Sequence, residues 1–146
     1  MMTTLQFIAT LSATLFAGAA IYINVVEHPA RMGCGTKTAV TVWAPSYKRA
    51  TVMQGALAVL GFFAGISVWL LGGGIMWCVG AVFIGLVVPF TFIAIMPTNH
   101  RLLAPGRDLD SSETRALLEK WGALHAVRSA LSFIASVMYV GSLVGV

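Results

Sequence analysis

Asn24, Glu27 and His28 stand at i, i+3 and i+4, so a helix would gather them on one face. Trp121, His125 and Arg128 stand at i, i+4 and i+7 and make a second stripe. Carboxylate, imidazole and guanidinium groups are the side chains that move protons and hold developing anions. Here they interrupt or end some of the most apolar stretches of the chain. A charge in hydrocarbon costs at least about 2.5–3.5 kcal/mol and usually faces a bundle interior or a cavity. Plainer readings exist for each: Glu27 and His28 as markers of a membrane edge, Arg128 reaching up to headgroups, His125 and Gln54 as interhelical hydrogen-bonders.

The elements that must carry these residues follow from composition. The 146 residues are 58% hydrophobic and 10% charged, against about a quarter charged in soluble domains. The expectation is an integral membrane protein with a single domain. Four runs reach the roughly 20 apolar residues a membrane helix needs: 5–26, 50–71, 75–96 and 121–144. The first is longer than a signal-peptide core and no Lys or Arg precedes it, so it reads as a retained span. The triple glycine Gly72–Gly74 forces a tight hairpin between spans two and three. The fold class is therefore all-α, an antiparallel up-down-up-down four-helix membrane bundle.

Charge gives this bundle a direction. Arg31, Lys37, Lys48 and Arg49 fall in the first connection, and Arg101, Arg107, Arg115 and Lys120 in the third. The termini and the glycine turn carry no Lys or Arg. The positive-inside rule places the first and third loops in the cytoplasm and both termini outside. Trp43 and Trp121 at the charged end, with Trp69 and Trp77 at the other, read as two aromatic belts. "DSSE", 110–113, reads as an N-cap with an acid three residues on, opening the last helix. Pro29 biases His28 away from helix. Gly18, Gly55, Gly61, Gly65, Gly80 and Gly85 suit close helix packing. Cys34 and Cys78 fall near opposite faces and would not pair.

On this topology Asn24, Glu27, Gln54, Thr91, Asn99, Trp121, His125 and Arg128 all lie toward the charged end. Arg128 sits about 10 Å deeper than Trp121. Glu27 is the one acid at comparable depth, so a Glu27–Arg128 pair or shared network is expected. His28, His100 and His125 lie at the same end, and with Glu27 they make an alternative metal set for iron, copper or zinc, although no ligand spacing matches.

"EHPAR", "VVPFTFIAIMPTNHRL" and "WGALHAVRS" together resemble the anthrone oxygenase-like family of small four-helix membrane proteins, in order and through nearly the whole chain. The P-T-N-x-x-L and W-x-x-x-H-x-x-R elements are the more specific. They point to Pro97, Asn99, Leu102, Trp121, His125 and Arg128, while "EHPAR" looks like a bacterial version of its element. The resemblance implies oxidation of an anthrone or phenol-type aromatic with molecular oxygen and no cofactor. His125 would be the base and Arg128 would stabilise the enolate or phenolate oxygen. Asn24, Glu27, Gln54, Asn99 and Trp121 would line the substrate site. The implied partners are the bilayer, a hydrophobic aromatic molecule and oxygen, with no nucleic acid and with self-association open to glycine-rich helices. Three other readings stand beside it: a metal- or haem-binding redox bundle, a small transporter, and a structural membrane subunit.

Overall fold

The computed structural model describes residues 1–145, and among them every regular element is helical. Helix α1, Met2–Tyr22, passes through a π-helical turn at Ile23–Glu27 into α2, His28–Gly33. Helix α3 is Thr36–Leu70 and α4 is Ile75–Phe90. A second π-helical turn, Thr91–Ile95, joins α4 to α5, Met96–Leu102, and α6 is Ser112–Val144. The result is four rods of 32, 35, 28 and 33 residues, each long and apolar enough to cross a membrane. At 1.5 Å per residue the shortest still spans about 42 Å, more than the ~30 Å of hydrocarbon. The chain is thus a multi-pass membrane protein.

Helices α1 and α4 each pack against both α3 and α6. The rods therefore stand in the order α1, α3, α4, α6 around the axis, the antiparallel arrangement that short connections impose. Small side chains fill the interior, among them Ala9, Ala13, Ala58, Ala81 and Ala135, while Phe7, Leu15, Phe63, Leu70 and Ile93 face outward. Lipid rewards no burial of Leu or Phe, so small residues that let backbones approach take the interior. Tyr139 fills the space over Gly65 and Gly80, where an added Cβ would collide with its ring or hydroxyl. It stacks on Trp77 at 5.1 Å and donates to the Gly61 carbonyl at 3.0 Å. Gly18 and Gly55 do not share the packing role expected of them, because a Cβ at either meets nothing within 4 Å.

The two π-helical turns have one cause. Pro29 and Pro97 lack an N–H, and their rings crowd the carbonyls four residues back, Val25 and Ile93. The chain widens by one residue at those points. His28 N–H reaches Ile23 O and Met96 N–H reaches Thr91 O, each five residues back. His28 consequently stays helical, at φ −65° and ψ −47°, despite the proline that follows it.

The first connection is shorter than the apolar runs suggested. Helix α3 already begins at Thr36, and the break lies at Cys34–Gly35, with Gly35 at φ 87°. Gly72 and Gly74 also take positive φ and form the expected hairpin. The cap of α6 is Ser111, one residue after the expected Asp110, and its Oγ accepts from Thr114 N–H at 3.2 Å. Glu113 then turns to Arg101 at 2.8 Å, tying the end of α5 to the start of α6. The tryptophans do not form two belts: Trp43, Trp77 and Trp121 are at most 4% exposed, and only Trp69 reaches the surface. Both cysteines are free.

Candidate functional site

Asn24 lies in the first π-helical turn, and its amide reaches across to α6. Its Nδ2 donates to the Gly122 carbonyl at 2.9 Å. That carbonyl can only accept, so the amide's orientation is fixed and Oδ1 points the other way. Oδ1 lies 2.7 Å from His125 Nδ1 and accepts from Ser129 Oγ at 2.7 Å. An oxygen acceptor requires the hydrogen on Nδ1. In the neutral ring Nε2 therefore carries the lone pair.

His125 is 1% exposed and sits on a small polar cleft. Glu27, Arg31, Tyr47, Gln54, Trp121 and Arg128 also border it. Its free volume is about 40 Å³, room for one or two water molecules. Trp121 stacks on His125 at 4.8 Å and 29°. Trp43 meets Trp121 edge-on at 5.8 Å, and the Arg31 guanidinium lies 5.9 Å from the Trp121 ring centre. Trp121 is therefore held between the protein's own groups, and its clearest effect is to orient His125. Gly122 completes the fit, since a Cβ there would come within 2.7 Å of the His28 ring.

Arg128 crosses the bundle diagonal. Its Nη2 donates to Gln54 Oε1 on α3 at 2.9 Å, and its guanidinium carbon lies 5.4 Å from the Phe16 ring centre on α1. The expected Glu27–Arg128 pair does not form. Glu27 instead bonds Arg31, one turn further along its own helix, at 3.0 Å. An i, i+4 partner is reached without crossing the bundle, which explains the preference.

The cleft is rich in donors with no partner. Arg31 Nε and Nη1, Gln54 Nε2, Arg128 Nε and the indole nitrogens of Trp43 and Trp121 are buried and unbonded. The lining holds two guanidiniums and one carboxylate. Such a lining favours an anionic oxygen.

The expected site residues thus divide. His125, Arg128, Gln54, Glu27 and Trp121 border one cleft, and Asn24 fixes His125 from behind with most of its amide already committed. Asn99 is fully buried on α5 but does not border the cleft. Pro97 shapes the second π-helical turn, and Leu102 belongs to the apolar cluster around Trp43 and Trp121. His28, His100, His125 and Glu27 do not converge, with His100 on the exposed side of α5. Among the described residues no three His, Cys, Asp or Glu side chains come together as a metal would need.

Arg31, Trp43, Tyr47 and Ser129 are part of the arrangement and were not singled out as site residues. Arg31 follows Glu27 by four, and Tyr47 follows Trp43 by four with the rings stacked at 5.1 Å. Those i, i+4 spacings are the available signal, and the charges and Pro29 between the first two apolar runs mask it.

A family described as anthrone oxygenase matches residues 43–138. The anthrone oxygenase tpcL of Aspergillus fumigatus is 28% identical over 143 residues, covering 91% of this chain and 89% of that protein. An anthrone oxygenase of Claviceps purpurea is 27% identical over 151 residues, covering 93% and 86%. No solved structure matches. The family match takes in the α3 wall of the cleft and the whole Trp121–His125–Arg128 stripe, and the protein belongs to the anthrone oxygenase family.

Proposed function

We propose that this protein oxidises an anthrone-type aromatic to the quinone with molecular oxygen, using His125 as base and Arg128 as oxyanion partner. The observation that carries the reading is the Asn24–His125 hydrogen bond, which leaves Nε2 unprotonated at a cleft lined with free donors.

An anthrone methylene lies between two aryl rings and is conjugated to a carbonyl, so its anion is strongly stabilised. His125 Nε2 takes the first methylene proton. The charge moves to the carbonyl oxygen, where a guanidinium N–H of Arg128 receives it. The electron-rich carbon then bonds oxygen, and the peroxide anion takes the proton back from His125. Loss of the second methylene hydrogen with cleavage of the O–O bond gives the new carbonyl and water. One anthrone and one oxygen yield one quinone and one water. This sequence needs a base, an anion site and exclusion of bulk water.

In this reading the charged ends of the rods, with Arg31, Lys48, Arg49, Arg101 and Arg115, face the cytoplasm. The cleft then sits just inside that leaflet, where a flat lipid-soluble substrate concentrates.

The test is oxygen uptake and quinone formation by purified, chelator-treated protein given emodin anthrone, beside His125→Ala. A positioned base typically contributes about 10²–10⁴-fold. The expected result is rapid turnover by the wild type and a loss of that order in the variant. Turnover that disappears on chelation and returns with a metal would favour the redox-bundle reading instead.

A further inference from the structure

The cleft beside His125 is too small for three fused rings. The larger spaces lie on the other side of Arg128. A chamber of about 120 Å³ adjoins the cleft and shares Thr51, Gln54 and Arg128 with it. Its remaining walls are apolar apart from Thr91, whose hydroxyl donates to the Val87 carbonyl at 2.7 Å, and include Phe16, Gly55, Val87, Phe92 and Met96. That chamber in turn shares Ala58 and Val88 with a groove of about 420 Å³ between α3 and α4. The groove is lined by Val59, Phe62, Phe63, Val82, Leu86 and Pro89, several of them on the outward face of the bundle.

Two observations indicate what this series of spaces receives. Gly55 leaves the chamber wall open, since a Cβ there meets nothing within 4 Å. At the inner end, Arg128 Nε and Gln54 Nε2 are buried donors without partners, on residues 7% and 1% exposed. An apolar passage ending on two free donors fits a flat hydrophobic molecule that carries an oxygen acceptor at one edge.

We infer that substrate enters sideways from the lipid between α3 and α4, crosses the chamber beside Gly55, and delivers its carbonyl oxygen to Arg128 and Gln54. This rests on the proposed function for the identity of the ligand. Arg128 then exchanges its bond to Gln54 Oε1 for one to the substrate, which joins chamber and cleft and brings the ring edge to His125. A second groove, between α1 and α3 and lined by Thr14, Leu15, Gly18, Ala19, Met53 and Leu57, is of similar size. It shares no residue with the cleft or chamber, so it serves as the control.

The experiment compares Gly55→Phe with Gly18→Phe in phosphatidylcholine vesicles. Both positions face open space, so both variants should fold. The probe is 1,8-dihydroxyanthraquinone, which binds without turning over, and its association rate is followed by its own absorbance and fluorescence. Turnover of emodin anthrone is measured on the same preparations. Gly55→Phe should slow association at least about 10-fold and lower kcat/KM in parallel, with Gly18→Phe unchanged. A Gly55→Phe protein that binds the probe at the wild-type rate would overturn the passage. Wild-type turnover reads the proposed function separately: an active wild type with unimpaired Gly55→Phe removes the passage alone. Probe binding that depends on Gly55 without anthrone turnover removes anthrone oxidation and keeps the passage.

Discussion

Asn24 Oδ1 and His125 Nδ1 lie 2.7 Å apart, although 101 residues separate them in the chain. Because Asn24 Nδ2 is already held by the Gly122 carbonyl, this contact sets the tautomer of the imidazole as well as its position. Asn24→Leu removes the acceptor and frees the ring to turn. The expected effect is a fall in kcat of about 100-fold with little change in KM, because proton transfer is lost and substrate contact is not. Ser129→Ala removes only the second donor to Oδ1 and should cost much less. Steady-state kinetics on the two variants checks the difference, and equal losses would deny Asn24 this role.

Much of this arrangement was legible before any coordinates. Four apolar runs, the glycine hairpin and the charge bias specify an antiparallel bundle, and helical spacing puts His125 and Arg128 on one face. The exact partners were not legible, because they depend on which helix faces which. Depth alone pairs Glu27 with Arg128 across the bundle, yet Arg31, four residues on, is nearer because α2 stays helical past Pro29. That continuity depends on a π-helical turn, which hydrophobic periodicity does not reveal. The apolar run from Ala50 puts Trp43 at a membrane edge, whereas α3 begins 14 residues earlier, at Thr36, and buries it. Asn99 is fully buried on α5 but does not border the cleft, and sequence carries no signal for that difference.

The Glu27–Arg31 pair yields a stability prediction. Arg31 is 5% exposed at its side chain and Glu27 31%. Glu27→Gln leaves a nearly buried guanidinium without a counter-charge and should cost about 1–2 kcal/mol, less than a fully buried pair because water still reaches the carboxylate. Adding Arg31→Met removes the stranded charge and should restore most of the loss. Thermal unfolding in one detergent compares the three proteins, and a double variant no better than Glu27→Gln would contradict the argument.

Arg128 separates stability from catalysis. Arg128→Met removes a buried charge of similar length, so the fold should tolerate it. Turnover should fall about 10²–10³-fold if the guanidinium receives the enolate oxygen. Folding is checked by the unfolding midpoint and turnover by quinone absorbance. A stable variant with full activity would remove Arg128 from the oxyanion role.

Glycines that sequence treats alike should respond differently. Gly65→Ala drives a methyl group into the Tyr139 hydroxyl and should destabilise by about 1–3 kcal/mol. At Gly55 nothing lies within 4 Å of the new methyl, so Gly55→Ala should be neutral or slightly stabilising. Parallel unfolding curves test the pair, and similar losses at both sites would mean that the bundle packs otherwise.

The central claim is that His125 removes a proton from carbon before oxygen takes part. Exchange of the methylene hydrogens of emodin anthrone with deuterated water, followed by NMR under argon, tests it most directly. The account predicts that the wild type accelerates exchange with no oxygen present and that His125→Ala exchanges at the rate of buffer alone. Acceleration that survives in His125→Ala, or a wild type that oxidises anthrone yet catalyses no exchange, would contradict it.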